Sequence, residues 1–393
     1  MIVDRYLELG LRLGRHVDGF VDAYYGPAAL SQRVAAESVI APEVLAADAA
    51  RLIADLDAGV DADVLDAHRR HWMRAQVVGL HTSARRLAGE EIAYADEVEW
   101  CYGVRPTFRD EQLFADAHRR LDAVLPGDGA IAERIIAWRE AQAIPVLRLE
   151  GVLRDIAEDF RARTEVMFGL PEGEHIDWEL ATDQPWSGFN YYLGDLRSRV
   201  AINTDLPVLA PSIGHLVAHE AYPGHHTEHS RKEAGLVRGR RWQEETLFCV
   251  GTPQCLIAEG LADLALTIIA GDTPETVMVE HLGPLGIGYD PEIAAAVRVA
   301  SQSLNAVRAN AAWLLHADRR PIDEVVDYVE RWSLLPRERA VKAVEFLTSP
   351  TWRAYISCYV EGFPLCRDFV AGDPARFAEL ITEQRTPAEL VPA

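Results

Sequence analysis

Apolar residues recur at spacings of three and four over most of this chain, and that period dictates helices. Over residues 3–21, 42–58, 64–95, 110–124 and 129–167 the pattern puts aliphatic and aromatic side chains on one stripe and charges on the other. It resumes after Pro211 and runs through roughly residues 291–317, 321–332, 336–347 and 355–371, three of them opening on proline. The texture changes only between residues 169 and 211. There Trp186, Gly188, Phe189, Tyr191, Tyr192 and Gly194 lead into Arg199-Val200-Ala201-Ile202-Asn203-Thr204, which reads as a small hairpin or an edge strand. The expected fold class is mainly α, a large helical domain with one small β element. The tail after Thr386 is expected to be loose.

Charge and cysteine usage narrow the function classes. Against 39 Lys and Arg stand 61 Asp and Glu, a net charge of −22. Such a surface repels phosphate backbones and anionic lipid, so neither nucleic acid nor a membrane is an expected partner. Cys101, Cys249, Cys255, Cys358 and Cys366 are odd in number and lack CxxC spacing, which argues against a disulfide framework or a thiolate metal site. The first 18 residues read as an amphipathic helix rather than the apolar run of a signal peptide. No stretch reaches the roughly 18 uninterrupted apolar residues of a membrane span; the longest, near residues 261–270, is broken by Asp263. A cytoplasmic address is expected.

The chemistry concentrates in His219-Glu220-Ala221-Tyr222-Pro223-Gly224-His225-His226. Two imidazoles and a carboxylate can hold zinc, and a glutamate beside the first ligand is placed to take a proton from water. In an HExxH helix the second histidine lies at i+4, on the same face as the first. Here i+4 is Pro223, whose ring clashes with the carbonyl of His219, so the helix must bend where the second ligand is needed. His226, at i+7, falls near the azimuth of His219 but a turn too far. A two-residue expansion at Pro-Gly instead brings His225 to the i+4 place, which favours His225 and leaves His226 as the alternative. For a third ligand the best candidate is Glu259, a carboxylate opening a mostly apolar helix, with Asp263 one turn on to orient an imidazole. His215 and His229 read as supporting or surface groups.

At these residues the chain resembles the DUF885 proteins, whose signature is His-Glu-x-x-Pro-Gly-His followed downstream by a helix with Glu-Gly. The matching residues are His219 to His225, then Glu259-Gly260, with weaker likeness at Tyr191-Tyr192, Asn203-Thr204 and Tyr359-Val360-Glu361-Gly362. The resemblance covers most of the chain. It implies a zincin-like helical fold of the Glu-zincin type with an active-site cleft. It also implies metal ligation by His219, His225 and Glu259, base chemistry at Glu220, and hydrolysis of peptide-like bonds. Tyr359 is singled out by the resemblance as a donor to the developing oxyanion; Tyr191, Tyr192 and His316 are further candidates. The chain departs from the family in being shorter, in having Leu261 where many members have Trp, and in matching only loosely around residues 308–316.

The expected organisation is an N-terminal helical region, 1–168, and a metal-site region, 169–393, acting as one catalytic unit. The expected activity is that of a zinc-dependent metallopeptidase acting on a peptide or small amide, with Mn²⁺, Co²⁺ or Fe²⁺ as alternative ions. Arg308 or Arg367 would meet a substrate carboxylate, and the strand near residues 200–204 would pair with an extended peptide. Two other readings compete: a helical protein that binds metal without catalysis, and a di-iron or di-manganese carboxylate bundle.

Overall fold

A computed structural model describes residues 1–184, 186–349 and 352–391. The chain is mainly α, as its periodicity predicts. Four helices open it (Ile2–Leu13, Ala28–Ala36, Pro42–Asp57, Ala67–Leu87) and close on a core of their own around Tyr6, Leu45, Leu52, Trp72 and Val77. A second and larger core gathers residues from Ala23 to Leu390, on both sides of residue 168, around the helix Pro253–Ala270. A third, built on Phe114, Leu121, Ile135, Val307 and Trp332, joins the helix Gln112–Val124 to the C-terminal helices.

Pro253–Ala270 is long and apolar enough to cross a membrane, yet 78% of it is buried inside the protein. Its neighbours take the place of lipid. One of them, Ile356–Val370, approaches backbone to backbone: a Cβ on Gly260 would stand 2.4 Å from the carbonyl oxygen of Gly362. Only a pair of glycines permits that separation, and it brings the first turn of Ile356–Val370 up to Glu259.

The sheets are small. β1 (Val21–Tyr24) pairs antiparallel with β5 (Leu247–Cys249), with a bulge at Asp22. β2 (His175–Ala181), β3 (Gly188–Gly194) and β4 (Arg197–Asn203) form a three-stranded sheet in the order β2-β4-β3. The expected hairpin is β3–β4, closed by Asp195 and Leu196 at φ 56° and 61°, the left-handed pair of a tight two-residue turn. The expected edge strand, residues 200–204, is corrected. β4 is central, hydrogen-bonded to β3 on one side and in parallel to β2 on the other, so it has no free edge for a peptide.

Two helical expectations and one on the tail are also corrected. The run 129–167 breaks into Ile131–Ala141 and Val146–Phe168, because Pro145 has no N–H and Ile144 instead donates to Val208 O. The run 3–21 ends at Leu13, and its last residue enters β1. Among the described residues the tail is not loose: Thr386 and Glu389 cap a short helix, Pro387–Leu390, that buries Leu390.

Candidate metal centre

The helix Ile213–Glu220 is held by Ile213, Val217 and Ala218 on its buried face, which turns His219 toward Pro253–Ala270. It stops at Glu220. The chain then passes through a cis Tyr222-Pro223 bond and starts again as the helix His225–Lys232. Gly224 N–H donates to Ala218 O at 2.9 Å, and Glu228 N–H donates to Gly224 O at 2.9 Å, so the turn is closed from both sides. A Cβ on Gly224 would lie 2.0 Å from His219 O and 2.4 Å from Ala218 O. Glycine is required here because the second helix begins directly against the end of the first.

This turn brings His225 to His219, edge to face, with ring centroids 4.7 Å apart. From the neighbouring helix Glu259 reaches between them, Oε2 at 3.4 Å from His219 Nε2 and Oε1 at 3.8 Å from His225 Nε2. One ligand atom from each of the three lies within 4.8 Å of the others. His219 Nδ1 sits 3.1 Å from Asp263 Oδ1. That contact orients the ring, with a proton on Nδ1 toward Asp263 and Nε2 toward Glu259. Burial keeps His225 neutral, its pKa pushed down to about 4. Glu259 is 7% exposed, and its Oε2 has no hydrogen-bond partner. Although burial opposes both shifts, the hydrogen-bonding carboxylates of Asp263 and Glu259 raise the pKa of His219 well above its usual value, and His219 in turn draws Glu259 down, so without a cation a proton occupies the place between them that a metal would take. The donor set therefore fits a metal of the kind held by two imidazoles and one carboxylate.

His226 is not part of this set. It is wholly buried, with Nε2 2.8 Å from Glu174 Oε2 and Nδ1 2.8 Å from Ser198 Oγ, so both nitrogens are used. Glu174 also accepts from Tyr222 Oη at 2.6 Å and from Arg161 Nε at 2.6 Å. Burial opposes ionisation of Glu174, but these donors hold it down at about 2. Its contribution to stability is therefore full above the unfolded value near 4.5 and is lost as pH falls through about 2. Glu174→Gln should cost about 2 kcal/mol at pH 7, and the gap to the wild type should close below pH 4.5. Thermal melts across that range check it; a gap that persists at pH 2 refutes it.

Glu220 is buried beside the cluster, and burial, with the charges of Glu259 and Asp263, pushes it up to about 7 against the opposing pull of His219. Its backbone oxygen accepts from Asn190 Nδ2 at 2.6 Å, and a Cβ on Gly188 of β3 would stand 3.1 Å from its Oε1. The edge strand β3 therefore covers this carboxylate with a glycine. Tyr359 is 36% exposed, with its ring 5.4 Å from that of Tyr355. The other sequence candidates lie elsewhere. His316 caps Leu347 O, Tyr192 bonds Glu233, and Tyr191 lies under Arg199. His229 stacks on Tyr192, and Arg367 is paired with Asp368. His215 is exposed, 3.5 Å from Asp263.

Two groups at the site had not been expected. Tyr355 donates its hydroxyl to Glu259 Oε1 at 2.6 Å and so fixes the carboxylate. It lies four residues before Tyr359, on the same helical face, and that spacing was its signal. Asp22, half-buried on the β1 bulge, is pushed up to about 7 by burial and by the charges of Glu259 and Glu220. Its place depends on the pairing of β1 with β5, which no local pattern announces.

Compared with known proteins, the chain matches no family model. No curated protein matches it in sequence. Among solved structures it is similar to one described as a "putative lipoprotein" from Colwellia psychrerythraea, at TM-score 0.52 and 15% identity. The likeness covers 94% of this chain and 79% of that one. At that identity the likeness shows a shared fold across nearly the whole chain, and its meaning ends there.

Proposed function

We propose that this protein is a zinc-dependent hydrolase of the metallopeptidase type, distantly related to the DUF885 proteins, and that it cleaves peptide-like bonds. The observation that carries the reading is the convergence of His219, His225 and Glu259 on one space with the buried carboxylate of Glu220 beside it. These three residues would hold the ion. When bound, zinc supplies Lewis acidity, polarising a carbonyl and bringing the pKa of water to about 7.

The chain's own residues do the rest. Glu220 takes the proton of the attacking water and passes it to the leaving amine, a role that its buried place beside the three ligands fits. Asp263 fixes the tautomer of His219, and Tyr355 fixes the rotamer of Glu259. Tyr359, open to solvent next to Tyr355, donates to the oxyanion. Gly188 of β3 packs directly on Glu220 and Leu216 and so fixes the position of this carboxylate.

After dialysis against metal-free buffer, elemental analysis should find one zinc per chain. Short peptides should be cleaved, with cleavage stopped by a chelator and restored by zinc. Two irons per chain would favour a di-iron carboxylate protein. Retained zinc without hydrolysis of peptides, amides or esters would leave a metal-binding protein and overturn the proposal.

A further inference from the structure

The helices Ile213–Glu220 and Pro253–Ala270 each carry two ligand-type side chains one turn apart, His215 and His219 on the first, Glu259 and Asp263 on the second. Residues at i and i+4 share a helical face, and these two faces meet. The result is a ladder. One rung is His219 Nε2 to Glu259 Oε2 at 3.4 Å, and the other is His215 Nε2 to Asp263 Oδ1 at 3.5 Å. A diagonal joins them, from His219 Nδ1 to Asp263 Oδ1 at 3.1 Å. The first rung, completed by His225, is the centre described above. The second rung, with the diagonal, gathers His215, His219 and Asp263, whose ligand atoms also lie within 4.8 Å of one another.

This second group has what a cation site needs. A tetrahedral zinc with bonds of about 2.1 Å holds its ligand atoms about 3.4 Å apart. The separations of 3.1 and 3.5 Å here lie on either side of that value. Among the described residues Asp263 forms ion pairs only with these two imidazoles, so no lysine or arginine takes up its charge. His215 is exposed, and His219 and Asp263 are partly so, which gives an ion direct entry and leaves room for water as the remaining ligand. Orienting His219 needs Asp263 alone. His215 adds nothing to that task, yet its ring stands 5.6 Å from that of His219 and its Nε2 meets the same carboxylate oxygen.

The structure assigns to His215, His219 Nδ1 and Asp263 a second divalent-cation site, weaker than the first and open to solvent. Two imidazoles and a carboxylate are borderline donors, and zinc is an ion they suit. The ion replaces the proton on His219 Nδ1: an N–H bond breaks, an N–metal bond forms, and the proton leaves to water. With both centres filled, the His219 ring bridges the two ions as an imidazolate. Loss of that proton and the exposure of His215 make the second ion the weaker of the two. It therefore empties on dialysis, and the count of one retained zinc is unchanged. The site goes beyond the hydrolase reading and does not depend on it.

The test titrates the metal-free full chain with zinc, by calorimetry and against a chromophoric chelator. The wild type should take up two equivalents, the second roughly 100-fold more weakly. His215→Ala, a change at an exposed side chain, should lose the second equivalent and keep the first within a few-fold. His225→Ala should lose the first and keep the second. His281, held between Asp155 and Asp159 at 3.0 and 3.1 Å, is the control for casual binding by an acid-flanked imidazole. His281→Ala should leave both equivalents in place. Circular dichroism of each variant confirms the fold. A second equivalent that survives His215→Ala, or a lone equivalent that is lost in His225→Ala, overturns the proposal. A lone equivalent that is lost in His215→Ala and kept in His225→Ala puts the metal here and sinks the first centre instead. A protein that takes up no zinc overturns both.

Discussion

Zinc-loaded Glu220→Gln is expected to retain one ion per chain and to lose about 10²- to 10⁴-fold in turnover, the range typical of removing a general base. The substitution keeps the volume and the backbone hydrogen bond to Asn190, which is made by the Glu220 carbonyl and not by its side chain. It also removes a charge that burial already disfavours, so the melting temperature should not fall. Steady-state kinetics on a short peptide, paired with elemental analysis of the same sample, gives both readings at once. Turnover within a few-fold of wild type would show that Glu220 does not carry the proton. Joint loss of zinc and turnover would instead place Glu220 among the ligands, a role that its position beside the cluster, outside the converging set, argues against.

How much of this was legible depends on the range of the interaction that decides each feature. The bend at Pro223-Gly224 is a local steric matter, and so the approach of His225 to His219 followed from it. His226 faced away for a reason that lay elsewhere: Glu174 comes from the loop leading into β2 and Ser198 from β4. Glu259 stood out because a carboxylate in an apolar helix needs a partner. The packing of Gly260 on Gly362, which delivers Tyr355 to it, concerns two segments far apart in sequence. β1 was hidden for the same reason. Val21 closes a helical-looking run, and only β5, far along the chain, makes residues 21–24 a strand and places Asp22 near the cluster. For β4 the alternation was readable, but β2, only partly buried and parallel to it, was not. Its central rank depended on that unseen neighbour.

Gly224→Ala is expected to reduce zinc affinity at least 100-fold, more than the loss typical of disturbing a supporting residue, because it displaces a ligand outright. The added methyl meets backbone oxygens at 2.0 and 2.4 Å, and neither can rotate away as a side chain would. Relief requires the start of His225–Lys232 to move off the end of Ile213–Glu220, and a shift of about 1 Å carries His225 Nε2 out of the common space it shares with His219 and Glu259. Such overpacking costs about 1–3 kcal/mol in a well-packed interior, so the protein should remain folded with a lower melting temperature. Gly151→Ala is the control: it sits within the helix Val146–Phe168 with nothing near its would-be Cβ, and it should leave both zinc affinity and stability unchanged or slightly improved. Competition titration against a chromophoric chelator gives the affinities. A Gly224→Ala protein that holds zinc as tightly as the Gly151→Ala control would mean that the bend is not what brings the second imidazole to the ion, and the ligand set drawn from it would have to be abandoned.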